Sequence, residues 1–191
     1  MIQRIAHRLK RFTKDDEGHM LIEFAIIVPV IFSLFLASVE FGIYSMRQMF
    51  LDRGLDMTVR VIRLNTGVDL DNNGEVDLDH DTVKQMICDN SGFLNTGSAN
   101  NCDTTLRLEM VAIDPFNYVG LSEDTDCVDV SQAVNPPRGF TNGAEHELMM
   151  LRACVKFDPV FPTTGLGRAF EKDGAGQVSM ISMSAFVQEP V

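Results

Sequence analysis

The 191-residue sequence is short of positive charge, with 16 Lys and Arg against 27 Asp and Glu and a formal net charge of −11. What positive charge there is lies unevenly. Residues 1 to 17 hold five basic side chains (Arg4, Arg8, Lys10, Arg11, Lys14) and three acids, so the remainder is more acidic than the whole. An acidic body cannot displace counterions from a phosphate backbone, which excludes a nucleic acid as partner. The sequence also lacks H-E-x-x-H, G-x-S-x-G and P-loop patterns, and the body beyond residue 46 has two histidines, His80 and His146. No catalytic constellation is present, so the chain is expected not to be an enzyme. Gly165-Leu166-Gly167 is a lone glycine pair in a proline-rich turn and reads as punctuation. The eleven methionines cluster in part at Met149-Met150 and Met180-Met183, which could suggest copper, but such stripes in strands read as core packing, since a thioether fills irregular gaps.

There are four cysteines, Cys88, Cys102, Cys127 and Cys154, and no C-x-x-C pair of the zinc or redox kind. Two disulfides in an oxidising compartment account for them economically; four reduced, buried thiols are the alternative. Among the three connectivities, Cys88 to Cys102 with Cys127 to Cys154 makes the most local bonds. It closes the segment after Cys88 and ties the polar stretch from Asp114 to Asn142 to a strand.

Between Glu23 and Glu40 runs a stretch of sixteen residues without a charge, FAIIVPVIFSLFLASV. As a helix, His19 to Met46 reaches roughly 42 Å, more than the roughly 30 Å of a hydrocarbon core. Pro29 inside it would cost a soluble helix about 3 kcal/mol, but is tolerated in membrane helices. A cleaved secretory signal is the rival reading. Against it stand Asp15, Asp16 and Glu17 where such a signal has positive charge, and only a weak cleavage site at Ala37-Ser38-Val39. The basic tail marks the cytoplasmic side, which puts the body outside, where disulfides form.

Directly before the span stands Gly18-His19-Met20-Leu21-Ile22-Glu23-Phe24, a glycine followed at the fifth position by a glutamate and then an aromatic residue. This is the type IV prepilin pattern. Together with Asp15-Asp16-Glu17-Gly18, Val28-Pro29-Val30 and Val39-Glu40-Phe41-Gly42, it resembles the N-terminal region of the TadE/TadG-like pilus assembly proteins, pseudopilins of the tight-adherence system that builds Flp-type pili. The length is similar to that of the TadE-like members. The resemblance covers about residues 11 to 65, and His146 to Cys154 and Ser184 to Pro190 extend it. It implies that a prepilin peptidase cuts after Gly18, leaving His19 as the N-terminus, and that Glu23 pairs with the freed amino terminus of a neighbouring subunit. It further implies sister pseudopilins, the Flp major pilin and an inner-membrane platform as partners, with the lipid bilayer around the span. An uncleaved single-span receptor is the alternative from another class.

Beyond the span an amphipathic extension is expected over 47 to 66, with Met49, Phe50, Arg53, Met57, Arg60, Val61 and Leu64 at mixed helical spacings. Arg47, Arg53, Arg60 and Arg63 read as a basic patch, with Asp52 and Asp56 as local partners. Asp69-Leu70-Asp71-Asn72-Asn73-Gly74-Glu75-Val76-Asp77 matches the first half of a calcium loop. Asp69, Asp71, Asn73, Glu75 and Asp77 are the candidate ligands, but His80 stands where the bidentate glutamate belongs. The rival reading is an acidic Asn-Gly turn that starts a helix, with Asp79 or Asp81 at its N-cap.

A short helix is predicted over Asp81 to Asp89, and strands over Thr104 to Ile113, Glu147 to Phe157 and Gln177 to Val187. In the second strand Met149, Leu151, Ala153, Val155 and Phe157 share one face, and Arg152, Cys154 and Lys156 the other. The expected organisation is a basic cytoplasmic leader (1–18), a transmembrane helix (19–46), its helical extension (47–66) and a periplasmic α+β domain (67–191). The fold class is α+β, a long helix packed on a small antiparallel sheet as in pilins.

Overall fold

From His19 to Arg63, 45 residues form one uninterrupted α-helix, α1, which continues through Pro29. At 1.5 Å per residue it is roughly 68 Å long. Its two halves differ in surroundings. The apolar side chains up to Val39 are largely exposed, and this half is long and apolar enough to cross a membrane. From Glu40 onward one face is buried, with Leu51, Leu55, Val59 and Ile62 in a stripe at helical spacing. Burying each contributes roughly 1.5–3 kcal/mol. Met49, Met57 and Leu64, included in the mixed periodicity of the sequence, point outward, because they fall off that stripe.

The computed structural model describes residues 19–64, 78–92, 102–117, 121, 127 and 139–190. After α1 come α2 (His80–Asn90), α3 (Cys102–Thr105), β1 (Leu106–Ile113), β2 (Leu148–Phe157), α4 (Gly165–Ala169) and β3 (Val178–Val187). Asp79 caps α2 by accepting the Thr82 backbone N–H at 2.9 Å, and the Ser91 hydroxyl closes the other end on the Ile87 carbonyl. α2 buries Val83 and Ile87 beside α1. The approach is close at Gly54, where a Cβ would lie 2.8 Å from the Ile87 carbonyl oxygen.

The three strands form an antiparallel sheet in the order β1-β2-β3. Leu108 pairs with Ala153 and Met110 with Leu151; on the other side of β2, Val155 pairs with Met180. These residues line the face that closes the core over α1 and α2. The predicted first strand loses its opening residues, since Thr104 and Thr105 belong to the helical turn α3 beside Cys102. The disulfides are Cys88–Cys102, which joins α2 to α3, and Cys127–Cys154, which ties the polar segment to β2.

The second face of β2 is not a wet one. Arg152, Cys154 and Lys156 are all buried. Arg152 faces Glu109 in the register, and its Nε donates to Glu109 Oε2 at 2.7 Å. Lys156 Nζ donates to Asp173 Oδ2 at 2.7 Å. Burial alone would raise the carboxyl pKa of Asp173, but the Lys156 ammonium and the backbone N–H groups of Gln177 and Ala175 outweigh it and hold the carboxyl below the usual carboxylate range.

A carboxylate depressed in the folded state contributes stability that is fully present above its unfolded value, about 3.9. That stability is lost as pH falls through the folded pKa. Asp173→Asn should therefore be less stable than the parent at pH 7, and the gap should close on acidification. Thermal unfolding of both proteins from neutral pH down to about pH 1, through the window in which a depressed carboxylate titrates, checks this. A gap that persists unchanged at the lowest pH would contradict it.

Candidate functional site

The residues expected to act in processing and assembly sit at the start of α1. Gly18 lies outside the described residues, and His19 is the first residue of the helix. His19 Nδ1 lies 3.9 Å from Glu23 Oε2, one turn on. Glu23 and Phe24 are exposed, surrounded along the helix by exposed Met20, Leu21, Ile22, Ile26 and Ile27. A carboxylate is thereby presented on an apolar helix with no element of the described body packed over it. In a bilayer such a group calls for a partner, from its own helix or from another chain.

The other end of the apolar run holds a group that the sequence reading used only as part of a motif. Glu40 is 2% exposed. Its Oε1 accepts the Val160 backbone N–H at 3.0 Å and its Oε2 accepts that of Phe161 at 2.9 Å. Around it, Arg47 Nη1 donates to the Asp158 carbonyl at 3.1 Å, and the Arg47 guanidinium lies over the Phe157 ring, 4.9 Å from its centroid. Tyr44 packs on Phe157 and Phe170, with ring centroids 5.8 and 5.3 Å away. At Gly165, which has φ +52°, a Cβ would lie 3.4 Å from Ala37 Cβ. The segment from Asp158 to Phe170 is thus clasped to α1 between Ala37 and Arg47. An acid placed directly after the uncharged run and followed by Phe41-Gly42 was the available signal.

The expected basic patch is divided among separate partners. Arg47 turns to the clasp, and Arg63 pairs with Glu189 at 2.7 Å. Asp52, expected to serve an arginine, accepts from Gln48 Nε2 at 2.9 Å. Arg47 and Arg63 thus take partners from the returning chain, while Asp52 keeps a local one four residues back.

The candidate calcium ligands Asp69, Asp71, Asn73, Glu75 and Asp77 lie outside the described residues. His80, the twelfth position of that pattern, is the first residue of α2, with Nδ1 2.9 Å from Asp81 Oδ1 and its ring edge-on to Phe140. Among the described residues no group of three or more His, Cys, Asp or Glu could hold a metal ion. At the end of the sheet remote from the clasp, a cleft of about 660 Å³ is lined by residues including Asp114, Pro115, His146, Glu147 and Val187. Here His146 takes a left-handed backbone conformation (φ 65°) and its N–H donates to the Gln188 carbonyl.

No curated protein and no solved structure matches the chain. Residues 18–60 do match the model of one family, described as TadE-like protein. The match takes in Gly18, Glu23, the exposed apolar half of α1, Glu40 and most of the stripe that the body buries. Over residues 18–60 the resemblance read from the N-terminal motif is therefore shown, and it is consistent with a TadE-like pilus assembly protein.

Proposed function

We propose that the chain is a structural assembly subunit and not an enzyme: a minor pilin or pseudopilin of a type IV (Flp/Tad) pilus. The observation that carries this reading is Glu23 exposed on an apolar helix, five positions after Gly18, within the segment that matches the TadE-like family. A prepilin peptidase cuts after Gly18, and His19 becomes the N-terminus. Glu23 then pairs with the amino group of a neighbouring subunit while the apolar helices pack side by side. The leader lies in the cytoplasm, α1 crosses the inner membrane of a bacterium, and the α+β body stands in the periplasm. Two disulfides agree with that compartment. Sister pseudopilins, the Flp major pilin and the inner-membrane platform are the partners.

The test is the intact mass and N-terminal sequence of the membrane-extracted protein, made with and without a co-expressed prepilin peptidase. The expected chain begins at His19 only when the peptidase is present. A full-length product in both preparations would point to an uncleaved anchor or receptor, and a start beyond Val39 to a secreted domain. Either result overturns the processing step.

A further inference from the structure

We infer that the clasped turn Pro159-Val160-Phe161-Pro162, with Leu166 beside it, rests in the boundary between headgroups and acyl chains of the leaflet from which the body projects. The inference rests on the reading of α1 as a membrane anchor. From His19 to Val39 the helix rises roughly 31 Å, about the thickness of a hydrocarbon core. Val39 therefore marks the lipid boundary on the side of the body. Gly165 packs against Ala37, two residues inside that boundary, so the turn cannot stand clear of it.

The backbone of the turn is prepared for such a place. Non-helical chain is tolerated near lipid only where its polar groups are satisfied by protein. Pro159 and Pro162 have no N–H, and the other two residues give theirs to Glu40. The Phe161 carbonyl accepts from Thr164 N–H, and that of Pro162 from Lys172 Nζ. No backbone donor in the four residues is left needing water. The side chains fit as well: Val160 is 44% exposed, Phe161 and Leu166 are half-buried, and Phe41, which follows Glu40 on α1, is exposed. Of the nearby charges, Arg47 lies against Glu40 and Asp158 and Lys156 against Asp173, while Lys172 gives its ammonium to the Pro162 carbonyl. What the turn offers the boundary is its apolar side chains, Val160, Phe161 and Leu166.

The chain has no tryptophan, so a single Trp reports its own depth. Four variants of the full chain serve, reconstituted in phosphatidylcholine vesicles whose acyl chains are brominated near the headgroup. Val160→Trp and Leu166→Trp read the turn, Phe35→Trp the span and Phe116→Trp the far end of the body, where the side chain is 97% exposed. The expected result is that V160W and L166W are quenched to the same extent as F35W and emit at short wavelength. F116W should be unquenched by lipid and open to aqueous acrylamide. Adding phosphatidylglycerol should leave the pattern unchanged. Quenching of F35W with none at V160W or L166W would overturn the inference and leave the anchor standing. An unquenched F35W would overturn the anchor itself. A blue-shifted V160W that no lipid quenches would mean that another protein chain covers the turn, which also overturns the inference.

Discussion

Glu40→Ala is expected to destabilise the folded body by about 3 kcal/mol, because it removes both acceptors of two part-buried, charge-assisted hydrogen bonds. The Val160 and Phe161 N–H groups would be left facing a methyl group. Glu40→Gln should recover only part of the loss. An amide has one accepting oxygen, and its NH₂ would confront the second N–H. Denaturant unfolding of the full chain in detergent, followed by far-ultraviolet circular dichroism, measures both. Thermodynamics aside, the carboxylate sets the position of the turn, so V160W in the Glu40→Ala background should lose its quenching by lipid while F35W keeps it. An Ala variant as stable as the parent would show that the two N–H groups find other acceptors and that Arg47 and the packing of Tyr44, Phe157 and Phe170 hold the clasp without the carboxylate.

The second large effect is expected at the disulfide that closes the longer loop. Cys127–Cys154 joins residues 27 apart, and Cys88–Cys102 joins residues 14 apart. Constraining the unfolded chain makes each contribute about 3–4 kcal/mol. A doubling of loop length adds about 0.6 kcal/mol, so the loss should be somewhat greater for the paired replacement Cys127→Ala with Cys154→Ala. Cys154 also lies in the buried row with Arg152 and Lys156, and Cys127 is itself buried, which adds packing to the loss. Thermal unfolding of the two paired variants, beside the parent with and without reductant, checks the order. A reduced parent that melts with the oxidised one would contradict both estimates.

Much of the architecture was legible because its determinants are local. A run of uncharged residues long enough to span lipid can only be a helix there, since each backbone group must find its partner within the segment. The alternation from Met149 to Phe157 and the acid at Asp79 ahead of α2 are read within a single element. The disulfide pairing followed from choosing the shortest closures, and both bonds are those expected. The prepilin-like spacing of Gly18 and Glu23 is likewise a property of seven consecutive residues.

What the sequence could not disclose are the pairings that cross the fold. Glu40 looks like the polar end of an apolar helix, and only the return of the chain 120 residues later makes it a buried acceptor. In the alternation Arg152 and Lys156 are simply the residues of the other face, with nothing to say what meets them. Placed at the centre of a three-stranded sheet, with Glu109 and Asp173 brought opposite them, they become buried ion pairs. The four arginines of α1 looked like one patch until Asp158 and Glu189 claimed two of them. Periodicity and composition determined which segments are helix, strand and span, because those depend on neighbours in the chain. Tertiary packing alone decided which charges are buried and what they hold, because a charge tolerates burial only when a partner, often far along the chain, arrives with it.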